Sequence, residues 1–267
     1  MTVDAHVHLW DPATRPYPWM RGPALDPIRR PYTVADYAEA ATPDVTAAIL
    51  VQTVSTVEET LEFLGVARAG GAAAVVGWAD LTALDLPDDP LLVGIRHQVE
   101  DEPDPDWLLR PDVRRGLVEL GDRGLVYDLL VRAPGRPAAL AAARSCSDTA
   151  FVLDHAGKPA IADGEWDTWA AWITDLATCP NVSCKLSGLV TEARWDSWRV
   201  EDIAPYAAHV LDAFGADRVL FGSDWPVCDL AGGYERVRAL LDHVLATASA
   251  AERDAVLGGT ARRVYRL

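Results

Sequence analysis

Eight short runs of apolar and β-branched residues recur along the chain, and they constrain its fold more than any other feature of the sequence. Longer amphipathic stretches with helical spacing separate most of these runs. Alternating β and α units of this kind close into a parallel barrel, and 267 residues is the size of one such barrel. The pattern therefore predicts an α/β protein with a single (β/α)8 TIM barrel domain over residues 1–267. The predicted strands are residues 3–8, 47–52, 74–81, 92–97, 125–131, 151–155, 182–187 and 219–224.

The helical stretches carry their own start and stop signals. Ser55 with Glu58, and Ser249 with Glu252, have the spacing of a capping box at a helix N-terminus. The third and fourth strands are joined by TALDLPDDPL (82–91), which is short and rich in Pro and Asp. One helix of the outer ring is therefore expected to be missing between strands 3 and 4.

Charge and cysteine content restrict the partners and the compartment. The formal net charge of −16 disfavours nucleic acid and anionic membranes, because the attraction to phosphate would be reversed in sign. No uncharged apolar run approaches the roughly 18 residues that span a bilayer. The four cysteines form no CxxC pair and are expected to be reduced thiols, and the chain opens directly on a strand. These features predict a cytoplasmic protein without nucleic-acid or membrane partners, and they leave its oligomeric state open.

Two histidines alternate with apolar residues on the first strand. His6 and His8 share one face by the period of two, whereas Val3, Ala5 and Val7 share the other. The apolar face is expected to meet the helices, so that both imidazoles point into the barrel. Two neutral imidazoles placed in this way can ligate one divalent metal. The alternative for this segment is a pair of hydrogen-bonded polar residues.

Ionisable residues also stand at the carboxyl ends of other predicted strands: Arg96, His97, His155, Lys185 and Asp224. Such groups are costly to bury without a task, and in a barrel the carboxyl ends of all strands meet at one pocket. The convergence predicts an active site there. For Lys185 a buried ion pair is an equal alternative, and Asp154, on the opposite face from His155, is expected to be structural.

Aromatic residues and one long loop complete the predicted pocket. Trp225 directly follows Asp224, so it is a candidate wall of the pocket, whereas Trp166, Trp169 and Trp172 recur at three-residue spacing and are expected to be a packing stripe on a helix. The stretch 11–30 contains five prolines and little periodicity. It follows the first strand and should emerge at the carboxyl face, as a substrate-covering loop or as an ordered surface loop.

Several longer motifs resemble a known family. They are VDAHVHLWDP, VGWADL, GIRHQVEDEPDPDWL, FVLDHAGKP, CKLSGL, FGSDWPVC and the final GGTARRVYRL. These stretches are similar to the lactonase branch of the amidohydrolase superfamily, which includes L-fuconolactonases and L-rhamnonolactonases, with 2-pyrone-4,6-dicarboxylate lactonases as more distant relations. The matches run from one end of the chain to the other.

The resemblance implies a catalytic centre made of His6, His8, His155 and Asp224, which are also the residues implied to bind metal. One divalent metal, zinc, is expected. A second metal is not, because Arg96 and His97 stand on the fourth strand where a carboxylated lysine or a glutamate would bridge two ions. A metal-free mechanism, in which the imidazoles and Arg96 polarise the carbonyl, stays open.

The function implied is hydrolysis of a small lactone, in particular a sugar-acid lactone of the fucono or rhamnono type. Asp224 is the expected general base, with His155, His97 and Arg96 as further catalytic candidates. Substrate contacts are predicted for Arg96 as a carboxylate fork and for Trp225, Lys185 and Tyr127. The alternatives are a 2-pyrone-dicarboxylate type of lactonase, a metal-dependent decarboxylase of an aromatic or unsaturated acid, and a barrel that binds a small molecule without converting it.

Overall fold

Eight parallel strands form one sheet in chain order in the computed structural model, which describes residues 1–267. Each strand pairs in parallel with the next, and a bridge between Val7 and Trp225 joins the last strand to the first. The predicted (β/α)8 barrel is confirmed, and every strand lies within or beside its predicted run. The strands are β1 Thr2–Val7, β2 Val45–Val51, β3 Ala74–Gly77, β4 Leu92–His97, β5 Val126–Leu129, β6 Phe151–Leu153, β7 Val182–Leu186 and β8 Val219–Phe221.

Helices surround the sheet, except between β3 and β4, where residues 78–91 form no helix. The prediction that the outer ring lacks a helix between strands 3 and 4 is therefore confirmed, and the short Pro- and Asp-rich linker takes its place. The helices are α1 Val34–Ala40, α2 Val57–Arg68, α3 Pro111–Asp122, α4 Arg136–Ser145, α5 Asp167–Ala177, α6 Val200–Phe214, α7 Gly233–Val244, α8 Ala250–Asp254 and α9 Thr260–Tyr265.

One of the two predicted helix caps is confirmed and the other is displaced by one residue. Ser249 and Glu252 form the capping box of α8. At α2 the cap is Thr56, not Ser55, and its hydroxyl accepts a hydrogen bond from the backbone N–H of Glu59 at 3.3 Å. The Glu59 carboxylate instead turns back to the backbone N–H groups of Thr53 and Val54, at 2.7 and 3.0 Å.

The alternation of side chains along β1 is interrupted, so the predicted orientation of its apolar residues is only partly correct. The register with β2 shifts between Asp4 and Val7, as in a β-bulge. Before the shift, Val3 and Ala5 belong to the small apolar cluster inside the barrel. After it, Val7 packs in the outer core between sheet and helices. The irregularity lets apolar residues fill the lower interior of the barrel while His6 enters its upper interior.

The core has two layers. A cluster of 64 buried residues lies between the sheet and the helices, and a cluster of 10 fills the barrel interior. The interior cluster includes Tyr265 of α9, whose hydroxyl donates to Asp128 at 2.7 Å. Trp169 and Trp172 are buried in the outer layer, as expected of a packing stripe, whereas Trp166 is 38% exposed. No helix has the length and apolar character needed to cross a membrane.

Candidate active site

The carboxyl end of the barrel brings together the four residues that the motifs pointed to. His6 Nε2 lies 3.1 Å from His8 Nε2, and Asp224 Oδ1 lies 3.8 and 3.5 Å from these two nitrogens. The ring of His155 lies 4.5 Å from that of His6, centre to centre. All four residues are buried. They form one compact group of three imidazoles and one carboxylate.

Backbone geometry, rather than strand alternation, brings two of these residues into the group. Asp224 and His155 lie beyond the last residues of β8 and β6, and both adopt left-handed backbone conformations, with φ of 58° and 53°. The Asp224 N–H donates to the His6 carbonyl at 2.9 Å, which holds the end of β8 against β1. Gly222 permits this approach, because a Cβ at that position would lie 2.6 Å from the Cβ of His6.

The group carries the protonation states that a metal requires. Burial lowers the pKa of His155 to about 4, although Asp224 and Asp154 act in the opposite direction. Burial likewise lowers the pKa of His6 well below its ordinary value. Burial alone would raise the pKa of Asp224, but the neighbouring imidazoles outweigh it and hold that pKa below its usual range. At neutral pH, His6 and His155 are therefore neutral and the carboxylate is ionised.

The donor set fits one divalent ion. His8 Nδ1 lies 2.7 Å from the Val51 carbonyl, so this nitrogen carries the proton and leaves the Nε2 lone pair free. His6, His8 and Asp224 each offer one ligand atom within 4.8 Å of the others. His6, Asp154 and His155 form a second group by the same measure. Asp154, however, is already held by the cations Arg96 and Lys185, at 3.0 Å from each.

A closed network of charges lies beneath this group, inside the barrel. Lys185 Nζ contacts Asp128 at 2.5 Å and Asp154 at 3.0 Å, and lies 3.3 Å from His6 Nδ1. Arg96 Nη1 lies 3.0 Å from the other Asp154 oxygen and 3.2 Å from His6 Nε2. Burial opposes ionisation of Asp154, but the charge of Lys185, the contact with the His6 ring and the charge of Arg96 hold its pKa well below the usual range. The two cations thus offset two carboxylates that are fully buried.

A cavity of about 660 Å³ opens above the group. Its floor includes His8, Arg96, His155 and Asp224. Residues of the loop 11–30 form part of the wall, namely Pro18, Trp19, Arg21 and Leu25. Of the two expectations for this loop, its position favours the one in which it covers a substrate.

Four of the residues predicted for catalysis or substrate contact do not line the cavity. His97 follows Arg96 on β4, so alternation turns it outward, where its Nε2 lies 2.7 Å from Glu102 and its ring stacks on Trp107. A catalytic role for His97 therefore has no support in the geometry.

The other three side chains also lie outside the cavity lining. Lys185 is fully buried in the charge network below the floor, which matches its alternative as an ion-pair partner. Tyr127 is fully buried on the outer face of β5 and packs on Phe151. Trp225 is 2% exposed and packs against Tyr32 and Tyr37 behind the wall. The predicted substrate contacts of these three side chains are not supported.

The sequence analysis missed a set of charged residues on the cavity wall. Lys158 Nζ lies 2.7 Å from both carboxylate oxygens of Glu100, and Arg132 bridges Glu100 at 3.1 Å and Glu192 at 2.8 Å. Burial alone would raise the pKa of Glu100, but Lys158 and Arg132 lower it. Two of these residues stand inside motifs already singled out, Glu100 in GIRHQVEDEP and Lys158 in FVLDHAGKP. They lie on loops, where no periodicity indicates direction.

Comparison with known proteins agrees with this geometry. The Amidohydrolase family model matches residues 3–267. The chain belongs to the amidohydrolase family. An L-fucono-1,5-lactonase from Burkholderia ambifaria is 39% identical, over 99% of this chain and 95% of that relative. The resemblance read from the motifs is thereby confirmed.

Solved structures of the family superpose along the whole chain. An amidohydrolase from Burkholderia multivorans with bound HEPES has a TM-score of 0.93 and 39% identity, covering 100% of this chain and 99% of its own. Another structure of an amidohydrolase from that organism, with bound zinc, has a TM-score of 0.91 and 38% identity over the same shares. The zinc in this relative and the donor set described above support a divalent-metal site in the present chain.

Proposed function

We propose that this chain is a hydrolase that opens a small lactone, namely a sugar-acid lactone of the fucono or rhamnono type. The observation that carries the proposal is an ionised carboxylate, Asp224, beside neutral imidazoles on the floor of a cavity large enough for a sugar ring. The L-fucono-1,5-lactonase activity named for a relative 39% identical over nearly the whole chain supports the same class.

The charge on the cavity wall fits a neutral substrate. Four basic side chains line it, Arg21, Arg96, Arg132 and Lys158. Four acidic side chains line it as well, Glu100, Asp101, Glu192 and Asp224. Three of the four cations already contact carboxylates. A sugar lactone carries no charge and suits this balance, whereas a pyrone dicarboxylate would need unpaired cations.

Asp224 acts as the general base in the proposed reaction. It accepts a proton from a water molecule, whose oxygen attacks the ring carbonyl. The C–O bond of the ring then breaks, and the proton passes from Asp224 to the departing alkoxide, which leaves a hydroxy acid. His155, hydrogen-bonded through Nδ1 to Ser187 at 2.9 Å, and Arg96 polarise the carbonyl and stabilise the developing negative charge.

We further propose that His6, His8 and Asp224 hold one zinc ion, with His155 beside them as a fourth candidate ligand. Bound zinc polarises a carbonyl and lowers the pKa of water. Arg96 Nη1 lies 3.2 Å from His6 Nε2 and competes for the same lone pair, so the metal-free alternative has Arg96 in this position. Elemental analysis of the purified protein is expected to give up to one divalent ion per chain, and two ions would contradict the proposed site.

We also propose a cytoplasmic location. All four cysteines are buried free thiols, the state that a reducing compartment maintains. A small-molecule lactone is the proposed partner, and the net charge of −16 argues against nucleic acid.

A panel of lactones tests the proposed reaction. Acid release is followed with a pH indicator in weak buffer, with and without a chelator, and carbon dioxide is measured in the same vessel. We expect acidification with fucono- and rhamnono-lactones and no carbon dioxide. Failure on every lactone, with carbon dioxide evolved from an aromatic or unsaturated acid, would replace the hydrolase by a decarboxylase.

A further inference from the structure

The segment after β6 contains an unusual backbone turn. Four successive residues, His155, Ala156, Gly157 and Lys158, have φ of 53°, 50°, 69° and 47°. Three of them carry a Cβ, for which the left-handed helical region is sterically disfavoured. A run of such residues persists only where the surrounding structure holds it. We refer to residues 155–158 as the left-handed turn.

Both ends of the left-handed turn face the cavity. His155 and Lys158 line it, and each is fixed there by one further contact, His155 to Ser187 at 2.9 Å and Lys158 to Glu100 at 2.7 Å. The middle of the turn faces the outer core, where the Ala156 carbonyl accepts a hydrogen bond from Trp169 Nε1 at 2.7 Å. The conformation of the turn therefore decides whether two cavity residues point into the site.

Arg136, at the start of α4, holds the turn from behind. Its Nε and Nη2 donate to the Gly157 carbonyl at 3.2 and 3.1 Å, and Nη2 also donates to the Lys158 carbonyl at 3.0 Å. Arg136 is 4% exposed and does not line the cavity. Its guanidinium therefore serves the backbone of the turn and not a ligand.

Glu165 fixes that guanidinium. Its two carboxylate oxygens lie 2.5 and 3.1 Å from Nη1 and Nη2 of Arg136, and one of them also accepts the Ala160 N–H at 2.9 Å. The planar fork of an arginine can make these contacts and the carbonyl contacts together, which the single ammonium of a lysine cannot. Glu165, Arg136 and the two carbonyls form one connected unit, in which Arg136 is buried and Glu165 is partly exposed.

We propose that Arg136, oriented by Glu165, is a positioning residue that holds the left-handed turn and so places His155 and Lys158 in the cavity. We refer to Arg136 and Glu165 together as the clamp. Without the clamp, the disfavoured residues relax toward the right-handed or extended region, and His155 leaves its place beside Ser187. The kinetic part of this proposal rests on the proposed lactone hydrolysis, whereas its conformational part does not.

Three variants separate positioning from plain stabilisation. Arg136→Lys and Glu165→Gln weaken the clamp, while Arg218→Lys is the matched control. Arg218 also donates to three carbonyls, those of Phe214, Cys179 and Val182, at 3.2, 3.0 and 3.3 Å, but it directly precedes β8 and lies at the opposite end of the barrel. Each variant is measured for Tm, for kcat and KM on the lactone, and for hydrogen–deuterium exchange of the peptide covering the turn in the full-length protein.

The clamp variants are expected to exchange the amides of the left-handed turn about tenfold faster and to lose about tenfold in kcat, as a small displacement of a catalytic group would cause. Arg218→Lys is expected to lower Tm while leaving kcat and exchange of the turn within about twofold of the original protein. If Arg136→Lys does not fold, Glu165→Gln supplies the same comparison. Unchanged exchange of the turn in a folded clamp variant would overturn the proposal.

A second substitution gives the sharper test. Ala156→Gly removes a Cβ from the turn, and glycine adopts positive φ without steric cost. In the Arg136→Lys background it is expected to restore kcat to within about threefold of the original protein although Tm stays low. No recovery, with exchange of the turn still fast, would show that Arg136 acts by another route. If the original protein opens no lactone, the proposed function fails, and the exchange measurements alone still decide whether Arg136 holds the turn.

Discussion

Two kinds of polar residue build the site, and they differ in where the chain places them. His6 and Lys185 lie within the strands β1 and β7 and are fully buried. Neither lines the cavity, and His6 Nδ1 lies 3.3 Å from Lys185 Nζ. His155 and Asp224 lie beyond the ends of their strands in left-handed conformations, and both line the cavity. The difference indicates a division of labour, in which strand residues set charge and orientation from below and residues past the strand ends meet the substrate.

The strand residues form a closed set. Lys185 contacts both Asp128 and Asp154, and Asp128 also accepts the Tyr265 hydroxyl from α9. A buried set of this kind is costly to break and contributes orientation rather than a free reactive group. Substitutions in the two sets should therefore have different effects on activity and on stability.

The largest effect on kcat is expected at Asp224, which is one of the residues past the strand ends. Asp224→Asn keeps the shape of the side chain but removes the group that accepts the proton of water, so kcat should fall by about 10²-fold or more. Steady-state kinetics and a melting curve check this. A normal Tm with near-normal turnover would mean that Asp224 is not the base. The proposed division between strand residues and residues past the strand ends would then be wrong.

Arg96 connects the two sets, since it lines the cavity and also pairs with Asp154 at 3.0 Å. Its guanidinium further donates to the Gln52 carbonyl, and a lysine cannot serve both partners. We expect Arg96→Lys to lower kcat/KM by about tenfold, because the lysine ammonium keeps at most one of these two contacts and so displaces the charge at the cavity floor. Unchanged kcat and KM together with a lower Tm would show that Arg96 serves only as an ion-pair partner of the buried strand residues.

The ion pairs of Glu100 on the cavity wall should make the stability of the protein depend on pH in the acidic range. The pKa of Glu100 is held below its ordinary value of 4.5 by Lys158 and Arg132, against the effect of burial. A depressed carboxyl pKa contributes stability above the unfolded value that is lost as the pH falls through the folded value. The original protein should exceed Glu100→Gln in stability by about 1 kcal/mol at pH 7, and the difference should shrink below pH 4.5. A difference in Tm that is independent of pH between 7 and 3.5 would contradict this.

The smallest kinetic effect is expected at Trp225, which packs behind the wall against Tyr32 and Tyr37. Trp225→Phe removes buried surface and should lower stability by about 1–3 kcal/mol, while KM stays within about twofold. Thermal melting and steady-state kinetics separate the two. A raised KM at unchanged Tm would indicate that Trp225 contacts the substrate, as the sequence predicted.

The sequence predicted the barrel well because each strand is a compact apolar run between turn signals. Even the missing helix between β3 and β4 was readable from its prolines and aspartates. Alternation failed where the backbone is irregular. The register shift in β1 reversed the expected direction of Val3 and Ala5, and no local residue signals it.

The site was predictable in its centre and not in its surroundings. The proximity of residues in motifs at strand ends, such as His6 and Asp224, could be predicted because the carboxyl ends of parallel strands converge. The direction of His97 was harder to predict, because it neighbours Arg96 on the same strand and alternation sends it outward. Loop residues such as Lys158 and Arg132 were missed, since their direction depends on tertiary contacts that no periodic pattern records.

Ring opening in ¹⁸O-labelled water tests the central claim most directly. The purified protein is mixed with L-fucono-1,5-lactone, and the product is followed by mass spectrometry against a sample without protein. The account predicts ring opening much faster than in the protein-free sample, with one ¹⁸O in the new carboxylate, because water attacks the carbonyl carbon. A rate equal to that of the protein-free sample, or label on the hydroxyl carbon of the opened ring, would contradict it.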